Sequence, residues 1–597
     1  MKDMVTEEIK DQDDRVTESV SPDGECFPLP RQDDYGAENQ RLQSLVAEQR
    51  ARGREIVVVM GVGFVGAVMA GVVADSTDKS TGEPLYFVIG MQRPSPRSYW
   101  KIPYLNRGVA PVEAEDPEVA PLIARCVNEK KTLTASFSYD ALALADIVVV
   151  DVQCDYSKNA LGNVRDGHAE IKALEESLKV IGEKIAPHCL VLIETTVPPG
   201  TTEYVAYPIL KKAFEARGLG KGQKSEDGGQ RSKEKPEMPA DASDHRPPPA
   251  DLRPPTSDPA EPLLAHSYER VMPGRHYVAS IRDFWRVCSG VNPEAREKVV
   301  RFLGNVLNVE KFPLTVLDRP IESETAKIVE NSYRATILAF LDEWSRFAEL
   351  NGVDLIKVIE AIKVRPTHDN MIFPGPGIGG YCLPKDGGLG VWAYNTLMGF
   401  EDDIFKITPL AIDINDTRSL HVAQLVRDAL RNMGRIVAAS KVAVLGASYR
   451  QDVGDTRYSG SEIIVRKIAE MGGEVVVHDP YVKHWWEFEK QESYPAPGKS
   501  WARFFRNQEG LSDLRIAGGV AEALRGVDAM VLAVPHAEYL ALTPDAVVEM
   551  IGARAAVVDC FGILKDDQIQ RYFELGCEVK GLGRGHIQRI KERVRKG

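Results

Sequence analysis

Residues 55–75, EIVVVMGVGFVGAVMAGVVAD, constrain the fold more than any other stretch: a β-branched apolar run ends at a glycine and passes straight into an apolar helical pattern. A strand that turns at once into a helix needs a crossover to reach a parallel neighbour. Such strands belong in sheets covered by helices on both faces. Further compact runs of this kind follow, LYFVIG from Leu85, DIVVVDV from Asp146 and LVLIETT from Leu190, with helical stretches such as AEIKALEESLKVIGEKIA between them. Near Lys441 the alternation restarts with KVAVLGASYR, SEIIVRKIAEMGG, EVVVHDP, DAMVLAV and AAVVDC. The expected architecture is therefore α/β, two Rossmann-like doubly wound domains joined by a helical connector domain.

A chain of 597 residues exceeds a single core, and composition shifts suggest where it divides. Residues 1–52 are acidic and polar and read as a disordered or loosely docked tail. Residues 53–216 form the first α/β domain. Residues 217–262, rich in proline, glycine and charge and almost devoid of large apolar side chains, read as a disordered insertion. The first domain is expected to close over 263–318, the helical centre to span 319–432 and the second α/β domain 433–597. The formal net charge of −13 gives no global attraction to nucleic acid or an anionic membrane, so an anionic substrate needs a local basic site. Eight cysteines with no C-x-x-C pair favour free thiols in a reducing compartment rather than a metal site. The acidic start MKDMVTEEIKDQDD lacks the apolar segment of a secretory signal, and no apolar run reaches spanning length; the cytoplasm is the expected location.

Gly61, Gly63 and Gly66 form G-x-G-x-x-G, with Phe64 and Val65 between them, at a strand-to-helix junction. Two glycines admit a tight turn and a pyrophosphate, and the third lets helix pack on strand. Alone such a turn is often structural; in this context it is expected to bind a dinucleotide. PGPGIGGYCLPKD, residues 374–386, sets Cys382 behind a run that includes Gly377, Gly379 and Gly380, and ahead of Lys385 and Asp386. A lone cysteine is more often buried and inert. One on a glycine-rich loop with a cation close by looks like a nucleophile whose thiolate is favoured. Lys327 and Asn331, spaced i, i+4 in AKIVENSYRATILAF, project from one helix face, with Arg334 continuing the row. The apolar flanks place that face inside the protein, where amine and amide suit a developing oxyanion. ETTVPPGTT puts Thr195 and Thr196 at the carboxyl end of a strand, where open α/β sheets bind ligands, and DTRYSG puts Arg457 after the first strand of the second domain.

Taken together, GVGFVG, ETTVPPGTT, ERVMPG, AKIVENSYRATILAF, GPGIGGYCLPKD, VAVLGASYRQDVGDTR and VVVHDPY resemble the UDP-glucose/GDP-mannose dehydrogenase family from about Ile56 to Lys580. The resemblance implies an NAD-binding first domain, a dimerising helical centre and a C-terminal nucleotide-sugar domain. It also implies a four-electron oxidation of a sugar C6 alcohol to the uronate through a thiohemiacetal and a thioester on Cys382. In that scheme Lys327 and Asn331 stabilise the oxyanion and touch substrate, Asp386 and Thr196 assist proton transfer and position water, and Glu269 serves the catalytic site. Gly61, Gly63, Phe64, Val65, Gly66, Gln92 and Thr196 would contact NAD. Gly377, Gly379, Gly380 and Arg457 would contact substrate, Arg457 from within its own chain or across a dimer interface. The sequence departs from the family at Gln92, where an acidic ribose ligand is usual, at Val152-Gln153-Cys154-Asp155 in place of V-P-T-P, and at Tyr268 in place of a proline. ERVMPG and PGPGIGG look like the branch acting on UDP-N-acetylhexosamines, whereas CLPKD looks like the UDP-glucose branch; a UDP-N-acetylhexosamine is the expected substrate. The alternatives are UDP-glucose or GDP-mannose, or a catalytically retired nucleotide-sugar binder.

Overall fold

The computed structural model describes residues 17–219, 261–272, 274–488, 500–512 and 514–596. Residues 17–51, expected in the disordered tail, instead form β1 (Glu18–Val20), β2 (Cys26–Pro28) and α1 (Asp34–Ala51). The first two pair antiparallel. α1 buries Leu42 and Val46 in a core with Ile56 and Val58, and Arg41 bonds the carbonyl of Ala135 at 3.0 Å. Only Leu42, Val46 and Gln49 of its eighteen residues are buried, which explains why so polar a stretch read as unstructured. Residues 1–16, and 220–260 of the expected insertion, lie outside the described residues.

The first sheet comprises β3 (Glu55–Met60), β4 (Tyr86–Met91), β5 (Leu133–Ser136) and β6 (Ile147–Val150), then, past a polar hairpin of β7 (Asp155–Ala160) and β8 (Asn163–Glu170), β9 (Leu190–Ile193), β10 (Leu263–His266), β11 (Val287–Gly290) and β12 (Thr315–Val316). Its order is β12-β11-β10-β9-β6-β3-β4-β5. From β5 to β10 every pairing is parallel and the sequence 3-2-1-4-5-6 is that of a dinucleotide-binding sheet; β11 runs antiparallel to β10. The second sheet, β13 (Lys441–Leu445), β14 (Glu474–His478), β15 (Ala529–Leu532), β16 (Ala556–Asp559) and β17 (Glu578–Gly581), is wholly parallel in the order β14-β13-β15-β16-β17. That is the other common doubly wound arrangement, 2-1-3-4-5.

α2 (Phe64–Asp75) follows β3, and the helices that place the site between the two sheets are α3 (Pro320–Asn351), α4 (Leu383–Trp392) and α5 (Ile407–Asn432). α3 packs on α4 and α5. Its inward face carries Glu324, Lys327, Asn331, Ala335 and Leu338. On the opposite face Tyr333, Phe340, Trp344, Phe347 and Leu350 are exposed, Leu350 to 87%. α5 extends into the second domain, where Val422, Val426 and Leu430 share a core with Val442 and Val444. Among the described residues no helix is long and apolar enough to cross a membrane.

Candidate active site

Cys382 is the residue immediately before α4, half-buried, with Pro384 in the first turn, where a missing N–H costs nothing. Its carbonyl accepts from the N–H groups of Lys385 and Asp386, at 3.1 and 3.0 Å. The Asp386 carboxyl is fully buried and engaged at both oxygens: Asn331 Nδ2 donates to one at 2.6 Å and Lys385 Nζ to the other at 2.9 Å. Lys327 Nζ donates to the Glu269 carbonyl at 3.1 Å, lies 3.9 Å from Glu269 Oε1 and sits 5.3 Å from the Tyr268 ring centre. Glu269 in turn accepts from the Val271 N–H at 2.6 Å. Lys327, Asn331, Glu269, Asp386 and Cys382 are thereby drawn together from α3, α4 and the end of β10.

Electrostatics revise one expectation. Burial, and then the charge of Asp386, push the Cys382 thiol up to about 11, with Lys327 acting against them ahead of Lys385. The neighbouring Lys385-Asp386 pair therefore does not favour the thiolate as its spacing suggested. Lys385 is tied to Asp386 and lies 4.7 Å from the centre of the Tyr381 ring. Lys327 keeps its proton: burial opposes its charge, but Glu269, Cys382 and Asp386 together raise its pKa above the ordinary lysine value. Arg334 does not continue the row, because the buried stripe of α3 runs on through Ala335 and Leu338 and leaves Arg334 exposed. Thr196 lies just past β9, and its buried Oγ1 has no hydrogen-bond partner among the described residues.

The glycine turn fits a dinucleotide. A Cβ on Gly66 would lie 1.9 Å from the Gly61 carbonyl oxygen, so the third glycine is demanded by the turn itself, whereas one on Gly63 would meet nothing within 4 Å. Gly63 starts α2 without a side-chain cap, so the unpaired N–H groups of the first turn face that open space. The half-buried Val65 lies in the same turn. The Phe64 ring stacks on Tyr277 with centroids 4.8 Å apart, and its carbonyl accepts from the Tyr277 hydroxyl. Gln92 Oε1 accepts from the Val62 N–H at 3.2 Å, bracing the turn with the atom that an acidic residue would offer to a ribose. Arg93 and Arg97 beyond it are exposed. Without a carboxylate to repel a 2′-phosphate, the protein is expected to turn over NADP measurably, and Gln92→Asp to sharpen the preference for NAD. Comparing kcat/KM for both cofactors in the two proteins checks this; strict NAD specificity in the unmodified protein would refute it.

Arg457 joins the two domains within one chain. It pairs with Asp455 at 2.7 Å, and its guanidinium lies 5.3 Å from the centre of the Phe64 ring and 5.0 Å from that of Tyr381. Its carbonyl accepts from the Gly380 N–H at 2.9 Å. Arg457 is thus engaged at its own chain's glycine-rich loop ahead of Cys382. The Tyr381 hydroxyl bonds Asp155, one of the positions that depart from the family pattern. The loop glycines are shaped by protein as much as by any ligand: a Cβ on Gly379 would lie 2.4 Å from Tyr449 Cβ, and one on Gly377 would lie 3.3 Å from Ser419 Oγ.

Glu324, one turn before Lys327, was missed in the sequence. Its buried carboxyl accepts from the Gly200 N–H, the Thr202 N–H and the Thr202 hydroxyl at 2.6, 2.8 and 2.6 Å, tying the loop after β9 to α3, and burial raises its pKa to about 8. Its i−3 spacing from Lys327 is the signal that points to it. Asp151 and Glu194, at the ends of β6 and β9, were also missed; a carboxylate closing an apolar strand at the ligand-binding edge is the clue.

The UDP-glucose/GDP-mannose dehydrogenase family matches in three parts: its NAD binding domain over residues 55–224, its central domain over 321–416 and its UDP binding domain over 443–566. A UDP-N-acetyl-D-mannosamine dehydrogenase of Pyrococcus horikoshii is 24% identical over 533 residues, 89% of this chain and 100% of that protein. One of Yersinia pestis is 23% identical over 496 residues, covering 82% and 96%. Among solved structures, an NDP-N-acetyl-D-galactosaminuronic acid dehydrogenase of Methanosarcina mazei superposes with a TM-score of 0.66 at 25% identity, covering 92% of this chain and 98% of its own.

Proposed function

Because the chain belongs to the UDP-glucose/GDP-mannose dehydrogenase family and is an NAD-dependent nucleotide-sugar dehydrogenase, we propose that it oxidises the C6 alcohol of a UDP-N-acetylhexosamine to the carboxylate, with Cys382 as the covalent nucleophile. The observation that carries this reading is the convergence of Cys382, Lys327, Asn331 and Asp386 from α3 and α4. The N-acetylhexosamine assignment draws support from the relatives in Pyrococcus horikoshii and Yersinia pestis, which are UDP-N-acetyl-D-mannosamine dehydrogenases.

NAD, when bound at the Gly61–Gly66 turn, supplies the hydride acceptor. Lys327, held charged beside Glu269, stabilises the alkoxide as the C6 hydroxyl loses its proton, and Asn331, aligned by Asp386, offers an amide donor from the same helix face. Cys382 adds to the resulting aldehyde, forming a thiohemiacetal; that adduct gives up a second hydride to a second NAD, leaving a thioester on the same sulfur that water hydrolyses to the uronate. Thr196, whose buried Oγ1 has no partner among the described residues, is the hydroxyl we assign to that water. Arg457 gives the anionic substrate a local cation on a chain of net negative charge. The exposed aromatic face of α3 is the surface by which we expect two copies to associate.

A panel of nucleotide sugars tests the reading, with NADH absorbance and product mass followed together. Two NADH per uronate on UDP-N-acetylmannosamine or a close epimer is the expected result. One NADH per turnover, with a ketone or aldehyde product, would replace it with a simple alcohol dehydrogenase.

A further inference from the structure

The reaction scheme leaves an acid pair at the carboxyl edge of the first sheet without a role. Val150 and Ile193 are register partners on β6 and β9, so the residues that follow, Asp151 and Glu194, stand side by side. The Asp151 carboxyl occupies the notch left by Gly66: its Oδ2 lies 3.1 Å from where a Cβ on Gly66 would be, directly beneath the first turn of α2. Asp151 Oδ2 and Glu194 Oε2 are both buried and have no hydrogen-bond partner among the described residues.

The groups facing the pair are few. Arg286, fully buried beside β11, donates to Glu194 Oε1 at 2.9 Å and to the Tyr268 carbonyl at 2.8 Å. Glu269 follows β10 and adds negative charge to both acids, and Tyr277 approaches Asp151 from the short helix Tyr277–Arg282. Lys327 is directed at Glu269. One guanidinium on one of two adjacent buried carboxyls cannot sustain charge on both. Burial, then Glu194 and Glu269, push Asp151 well above the ordinary carboxylate range; burial also raises Glu194 in spite of Arg286.

We propose that Asp151 and Glu194 share one proton, and that this proton makes dinucleotide binding pH-linked through the charge beneath the α2 N-terminus. The inference rests on the assignment of the Gly61–Gly66 turn to the pyrophosphate. With the pair protonated, the helix N-terminus presents only its N–H groups and partial positive charge to that anion. When the proton leaves, Asp151 sets a full negative charge under the same turn and opposes binding. The folded-state pKa of Asp151 is raised, so the protonated, binding-competent form prevails at lower pH and affinity falls as pH rises through that value.

Calorimetric titration with ADP-ribose, which carries the pyrophosphate without the nicotinamide, tests this between pH 6 and 9. The Kd of the unmodified protein is expected to rise with pH, approaching about tenfold per unit, the limit for one linked proton. Proton uptake on binding should appear as a dependence of the measured heat on buffer ionisation enthalpy. Asp151→Asn, which cannot ionise, is expected to flatten the pH dependence and to bind ADP-ribose more tightly than the unmodified protein at pH 9. A pH-independent Kd with no proton uptake in the unmodified protein overturns the proposal, as does an unchanged slope in Asp151→Asn. Should that variant not fold, proton uptake in the unmodified protein decides alone. Failure to bind ADP-ribose at any pH would strike the assignment of the turn instead.

Discussion

Cys382→Ala is expected to lower uronate formation by roughly 10⁴-fold or more, the scale on which removal of a catalytic nucleophile acts. The fold should survive, because the thiol is half-buried at the start of α4 and the Asn331–Asp386–Lys385 hydrogen bonds are made by other atoms. Nucleotide-sugar binding should survive as well. The first oxidation does not require the sulfur, so the variant is expected to release aldehyde with one NADH per turnover, captured as a hydrazone by an added hydrazide. Mass analysis of products, with NADH counted in parallel, distinguishes the outcomes. Acid formed at the unmodified rate would end the case for a covalent intermediate.

The second large effect is expected at Lys327. Lys327→Met keeps the side-chain volume and removes the charge, taking away the cation for the alkoxide; a loss of about 10²–10³ in kcat follows from the usual worth of one oxyanion donor. A second readout separates this from simple misplacement. Lys327 is the leading influence that lowers the Cys382 pKa, against burial and Asp386, which hold the thiol at about 11. The thiol ionises as pH rises, so the rate of Cys382 alkylation by iodoacetamide should climb along an alkaline limb. In Lys327→Met that limb should move to higher pH. An alkylation profile that does not move would show that Lys327 exerts no electrostatic hold on the sulfur.

Local periodicity made much of this legible. The β3 run and its glycines announce a dinucleotide turn because strand, turn and helix are contiguous, and Lys327 and Asn331 share a face because a helix repeats every 3.6 residues. What the sequence concealed depends on the order of strands or on partners far along the chain. Asp151 and Glu194 are 43 positions apart and become neighbours only because β6 lies beside β9. Lys385 looked like an activator of Cys382 until Asp386 and Tyr381 were seen to engage it. α1 escaped notice because its polar residues face solvent and only Leu42, Val46 and Gln49 are buried. The β7–β8 hairpin is polar as well; it packs through Tyr156 and Val164 against the core near α4, an environment that alternation alone does not reveal.

Cys382 precedes the C-terminal sheet in the chain, yet the loop that carries it is housed by that sheet. Gly379 seats on Tyr449, Gly375 on Phe561, and the last turns of α5 complete the core under β13. Residue 433, where composition suggests a border, therefore falls inside a packed body. For lineages that evolve by shuffling gene segments, an exchange at that point would strand half of a core on each side. Because α3 packs on α4 and α5, an exchange that kept this body whole would have to cut ahead of α3 and carry Lys327, Asn331 and Cys382 together. Cys382 and the second sheet are thus bound to one inheritance, and even the first sheet is tied in, since Ile328, Leu389 and Ile412 share its core.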